Sequence, residues 1–197
     1  MLPSPEGMQM ITDKCLELFD TGAKLNAAEV AAELLALPEL PMHCPDHHFL
    51  LPAALLSAAH SHQGSSRAVL EKDLKRARAR AAAVQGGICG EYGCCGAAVG
   101  AGIFASIWNK TAPLSTEHWA TGNKLTARCL LSIASVEGPR CCKRVTYLAL
   151  KAAMPACQEL MGVEVGRFPD TVICQHHQRS KECRKEDCPF FIREKPY

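Results

Sequence analysis

The sequence predicts an all-α or nearly all-α fold, a compact helical bundle with a metal-organised C-terminal tail. Three observations carry this. Alanine and leucine are abundant, apolar residues recur at three- and four-residue spacings, and no alternating run of β-branched residues extends beyond a few positions. With 48% hydrophobic and 21% charged residues among 197, the composition is that of a globular protein, not of a disordered or collagen-like chain. One substantial core suits this length, since folding at this size hides roughly 70% of the unfolded surface.

The elements follow in order. A first helix spans about Glu6 to Asp20. A second runs from Ala27 to Leu37, opened by Asn26 as N-cap with Glu29 three residues on, and stopped by Pro38 and Pro41. The third covers Pro45 to His60, because proline suits the first helical position and Asp46 complements the positive end of the dipole; Pro52 should kink it. Ser66 to Val84 forms the fourth, broken by Gln85-Gly86-Gly87. The run Cys94 to Trp108 reads as a buried helix, too short and too rich in Gly and Ala for the about 20 strongly apolar residues of a membrane span. Ser115 to Val136 and Pro139 to Met154 supply the last two. Beyond Gly162 the helical periodicity stops, so residues 1–162 form a helical domain and 163–197 a Cys/His-rich tail packed on it, with a short strand expected at Thr171-Val172-Ile173.

Charge and compartment narrow the function classes. The net charge of +2 gives no general field for nucleic acid. The local exception, Lys72 to Arg80, lacks an aromatic residue to stack a base and reads as a solvated helix face, so nucleic acid is not the expected partner. The opening Met1-Leu2-Pro3-Ser4-Pro5 is no export signal, and no membrane is expected; the cytoplasm is the expected compartment.

The anomaly is twelve cysteines beside only 6% aromatics. Adjacent cysteines, as at Cys94-Cys95 and Cys141-Cys142, rarely form structural disulfides, which points to metal-thiolate chemistry instead. The tail arrangement Cys174, Cys183, Cys188 is C-x8-C-x4-C followed by Pro189. It suits a [4Fe–4S] cluster, favoured here, or zinc in a Cys3His site with a nearby imidazole. In Cys89-Gly90-Glu91-Tyr92-Gly93-Cys94-Cys95-Gly96, glycines permit sharp turns and close approach, while Cys94 and Cys95 fall near a helix N-terminus that should stabilise a thiolate. Gly96 and Gly100, with nearby alanines, form a stripe for close helix contact. Gly138-Pro139-Arg140-Cys141-Cys142-Lys143-Arg144 repeats that design, with cations that would depress a thiol pKa or hold an anion. Vicinal cysteines point about 100° apart on a helix, so one of Cys141 and Cys142, left unassigned, faces a site. In His43-Cys44-Pro45-Asp46-His47-His48, His43 and His47 or Cys44 and His48 lie one turn apart, as ligand pairs would. Cys15, Cys129 and Cys157 fit core positions.

The segments Cys44 to Leu50, Cys89 to Ala98, Gly138 to Arg144 and Cys183 to Phe191 together resemble an uncharacterised family of prokaryotic cysteine-rich proteins, a domain of unknown function in anaerobic bacteria and archaea. The resemblance covers most of the chain and implies proximity to radical and methyl-transfer chemistry, with a radical or methyl-transfer enzyme as partner. A looser likeness, limited to Gly-rich helices with cysteines and to Cys142-Lys143, is to iron–sulfur serine dehydratases and cysteine desulfidases.

The leading expectation is therefore an iron–sulfur enzyme of lyase, desulfidase or sulfur-transfer type, acting on a small anionic or sulfur-containing substrate. Cys94, Cys95, Cys141, Cys142, Glu91 and His47 are the candidate catalytic residues, with Glu91 or His47 moving the proton. Arg140, Lys143 and Tyr92 are the candidate substrate contacts, and Cys174, Cys183, Cys188, Cys89, Cys44 and His48 the candidate metal ligands. The alternative is a zinc-stabilised accessory module without chemistry of its own.

Overall fold

The computed structural model describes residues 2–192, and among them the chain forms eight α-helices and two short 3-10 turns, with no strand. The expected strand at Thr171-Val172-Ile173 is extended but unpaired: a lone extended segment has no ladder to join. Helix α1 (Pro5–Asp20) begins with Ser4, whose side chain accepts from the Gly7 N–H, and with proline at its first position. Helix α2 (Ala27–Leu35) is capped by Asn26 accepting from Ala28 N, and Asn26 also donates to Arg167 O at 2.7 Å, tying the start of the tail to the helical body.

Helix α3 (His47–Gln63) is apolar on every side because it is the central rod, packed against α1, α2, α4, α6 and α8. Pro52 lies inside it and cannot donate to the His48 carbonyl; that carbonyl instead faces Gly100, where an added Cβ would stand 2.9 Å from it. Helix α4 (Arg67–Ala82) carries the basic run, and its arginines are struts: Arg76 pairs with Asp73 at 3.3 Å, Arg78 donates to Pro5 O and Gln9, and Arg80 donates to Ser106 Oγ.

After the single turn α5 (Ile88–Glu91) come α6 (Gly96–Trp108), α7 (Trp119–Ala134) and α8 (Cys142–Met161), which ends on Gly162 at φ 65°. Cys15, Cys129 and Cys157 are fully buried in the common core, where Cys188 and Phe190 of the tail also sit. None of the described helices is long and apolar enough to cross a membrane.

Candidate functional site

Helices α6 and α8 both begin at the same place, beside the start of α3. Cys95 is the N-cap residue of α6, Cys141 that of α8, and Cys142 opens the first turn of α8. No side chain of the usual capping type closes α8. The Cys142 N–H instead points at His43 Nδ1, 3.4 Å away, and His43 Nε2 lies 3.3 Å from Glu182 in the tail. Arg144 pins the preceding loop by donating to the Glu137 and Pro139 carbonyls at 3.1 and 2.7 Å.

Between these helix starts lies a cavity of about 720 Å³, a size suited to a small ligand. Four thiols line it, Cys44, Cys89, Cys95 and Cys142, together with His43, His47, His48, Arg140 and Glu137. His48 reaches it because residue 96 is glycine: a Cβ there would come within 2.1 Å of His48 Cδ2 and 2.3 Å of Nε2. His48 Nδ1 meets the Val84 carbonyl at 3.1 Å, and His47 Nδ1 meets the Cys44 carbonyl at 3.1 Å and Cys44 Sγ at 3.2 Å. A carbonyl only accepts, so each ring carries its proton on Nδ1 and turns a bare Nε2 lone pair the other way, as metal-ligating histidines do. His47 Nε2 is buried without a partner.

Electrostatics here run against the expected thiolate stabilisation. Burial raises the Cys95 thiol, and the N–H groups of Ala97 and Ala98 at the start of α6 only oppose it. Burial likewise pushes Cys142 up to about 11, although Arg140 pulls down, and Cys44 up to about 12. In each case desolvation outweighs the charges and N–H groups that favour the thiolate, so these thiols stay protonated until something cationic claims them. Burial also lowers His47 to about 3, with the Lys143 charge adding to it, which holds His47 as a neutral imidazole.

The vicinal pair at the start of α8 divides its labour. Cys142 faces the cavity, whereas Cys141 faces a second, small void of about 20 Å³ that it lines with Cys174, Cys183, Cys188, His176 and aromatic residues of the tail. Cys174 Sγ accepts from the His176 N–H and Cys183 Sγ from the Lys185 N–H, both at 3.4 Å. Burial raises the Cys174 thiol, and the neighbouring Cys141, Cys188 and Cys183 thiols push the same way. Among the described residues no group of three or more His, Cys, Asp or Glu side chains is placed so as to hold a metal ion as it stands. Each cysteine has one side-chain torsion by which to draw in.

The sequence-derived candidates thus separate into groups. Cys44, Cys89, Cys95, Cys142, His47, His48 and Arg140 share the cavity, while Cys141, Cys174, Cys183 and Cys188 share the tail void. Glu91 and Tyr92 are exposed, Tyr92 to 73%, and line neither; Cys94 also lies outside both. Lys143 is fully buried and donates to Leu35 O at 3.0 Å, so it braces α8 against α2 instead of meeting a substrate. Glu137 at the cavity wall carried no signal in the sequence beyond its place before Gly138-Pro139. The pattern of a family of unknown function, DUF5714, matches residues 11–191, and the chain belongs to that family. No curated protein and no solved structure matches it.

Proposed function

We propose that this chain is an iron–sulfur enzyme whose cluster is held in the cavity by Cys89, Cys95 and Cys142, and whose substrate is a small anionic or sulfur-containing molecule bound beside it. The single observation that carries the reading is the shared lining: four thiols, three imidazoles and Arg140 around one cavity of about 720 Å³. Cys95 lies close enough to feel both Cys89 and Cys142, and these three thiols of the lining are the ligand set we propose. Cys44, in contact with His47 and beside Cys142, lines the same cavity. The Gly-rich segment from Gly86 to Gly96 gives the backbone the freedom to close on a cluster.

A cluster bound there by Cys89, Cys95 and Cys142 would supply Lewis-acid or sulfur-accepting chemistry. In that arrangement Arg140 would hold the anionic end of the substrate, Cys44 would stand beside the ligands, and Glu137, which lines the cavity where Glu91 does not, would take the proton-carrying role. Anaerobic purification with iron and sulfide analysis tests this. Near-equal iron and sulfide with visible charge-transfer absorption is expected, lost in Cys95→Ser and Cys142→Ser. Absence of both elements after anaerobic reconstitution overturns it. The zinc-stabilised accessory module draws support from one place only, the tail void of about 20 Å³, which suits a single ion better than a four-iron cube.

A further inference from the structure

We infer that Cys141, Cys174, Cys183 and Cys188 bind a single tetrahedral metal ion of the zinc type, at a site separate from the cavity and serving to fasten the tail to the start of α8. Four sulfur donors without a carboxylate select zinc or a comparable soft-tolerant ion, and closure by four protein ligands marks a structural site. The void they line holds about 20 Å³, near the room one water-sized sphere requires.

A second observation points to the same occupant. Arg144, Arg184 and Ser180 are among the residues around this void, and each has a buried side-chain donor, Nε, Nε and Oγ, without a hydrogen-bond partner. All three can donate. Buried donors without acceptors are costly, and thiolates formed when the surrounding thiols lose their protons to solvent would bring negative charge into their neighbourhood. A divalent ion with four thiolates carries a net charge of −2, and the nearby cations Arg144 and Arg184 offset part of it, Arg184 being already paired with Asp187 at 3.5 Å.

Local structure prepares the ligands. The Cys174 N–H donates to Phe190 O at 2.7 Å, closing the base of the loop that holds the three tail cysteines. The His176 and Lys185 N–H groups already point at Cys174 and Cys183 sulfurs. Tyr147 and Phe190, with ring centroids 5.3 Å apart, and Phe191 wall the void from water. The tail from 163 to 192 has only two 3-10 turns of regular structure, so an ion here supplies folding free energy that its own packing does not.

The test is elemental analysis of the full chain, purified anaerobically, beside the Cys141→Ser, Cys188→Ser and Cys95→Ser variants. About one zinc-type ion per chain is expected. It stays in Cys95→Ser, and affinity falls by at least about tenfold in Cys141→Ser and Cys188→Ser. Because Cys188 is buried and its replacement disturbs packing as well as ligation, cobalt substituted for zinc in the wild type and in Cys141→Ser gives a second readout. Thiolate-to-cobalt absorption of a four-sulfur site is expected in the former and about a quarter less in the latter. Unchanged cobalt absorption in Cys141→Ser, a change in His176→Ala in its place, or no zinc or cobalt bound overturns the inference. Zinc present without iron defeats the cluster reading alone; iron lost in Cys95→Ser with no zinc in any preparation defeats this one alone.

Discussion

Cys141 and Cys142 are neighbours in the chain, yet their thiols meet opposite surroundings. Cys141 faces a void of about 20 Å³ walled by tail aromatics and lined by three other cysteines, whereas Cys142 faces a cavity of about 720 Å³ lined by imidazoles, Arg140 and glycine-rich backbone. The small void gathers sulfur and leaves no room for a substrate. The large cavity combines sulfur with groups of other chemistry and has space beyond its ligands. Residue type is the same on both sides; what separates a fastening site from a reaction site is the volume and the company that the fold assigns to each thiol.

The largest effect that separates the two regions is steric. Gly96→Val places side-chain atoms where His48 lies, with the Cβ alone 2.1 Å from the ring, and is expected to destabilise the protein by about 3 kcal/mol. Iron binding should be lost while zinc at the tail is retained. Thermal denaturation with metal analysis checks this, and equal loss of both metals would show that the two regions are not independent.

Acid distinguishes them next. His47 in the cavity is lowered to about 3 and His176 in the tail to about 4, both by burial first, against an ordinary 6.5. Below 6.5 the unfolded chain binds protons that the folded one refuses, so stability of the metal-free protein falls with pH. Between 6.5 and about pH 5 each histidine contributes about 2 kcal/mol to that loss. The contribution of His176 is complete near 4, while that of His47 continues to about 3. Urea denaturation over this range should show His47→Gln flattening the slope further into acid than His176→Gln does.

The smallest effect concerns the residue behind both thiols. Lys143 is lowered by burial to about 8 from 10.5, so between those values the unfolded state holds the extra proton and stability rises with pH. Cys44 and Cys142, raised to about 12 and 11 from 9.0, act the other way: the folded state keeps protons that the unfolded state releases, and stability falls above 9.0. Lys143→Met in metal-free, reduced protein should therefore steepen the alkaline decline by about 1 kcal/mol per pH unit, read from denaturant midpoints. An unchanged slope would mean that Lys143 is charged in the folded state.

The helices were legible because their signals are local. Asn26 caps α2, the small-residue stripe at Gly96 and Gly100 lets α6 close on α3, and the glycine run after Val84 ends α4, all within a few residues of the elements they define. The tail cysteines were legible as a group for the same reason, since their spacing lies within one loop. What stayed hidden depended on distant partners. Glu91 and Tyr92 look like site residues beside Cys94-Cys95, but the turn that α5 makes leaves both in solvent. Lys143 looks like an anion contact until α2 covers it and Leu35 takes its proton donor. The expected depression of the thiol pKa values reads the helix dipole correctly and misses desolvation, which only the packed structure supplies.

By itself, the sequence determined an all-α chain with twelve cysteines, three of them core, and with two vicinal pairs near helix starts. Only the tertiary structure decided how the remaining thiols are shared, sending Cys141 to the tail and Cys142 to the cavity. The reason is geometric. Neighbouring residues at the first turn of a helix point about 100° apart, so each direction is given meaning by whatever the fold packs there. For Cys142 that wall includes His43, 99 residues away in sequence, and for Cys141 it is a loop whose closing bond, Cys174 to Phe190, forms only when the tail has returned to the bundle.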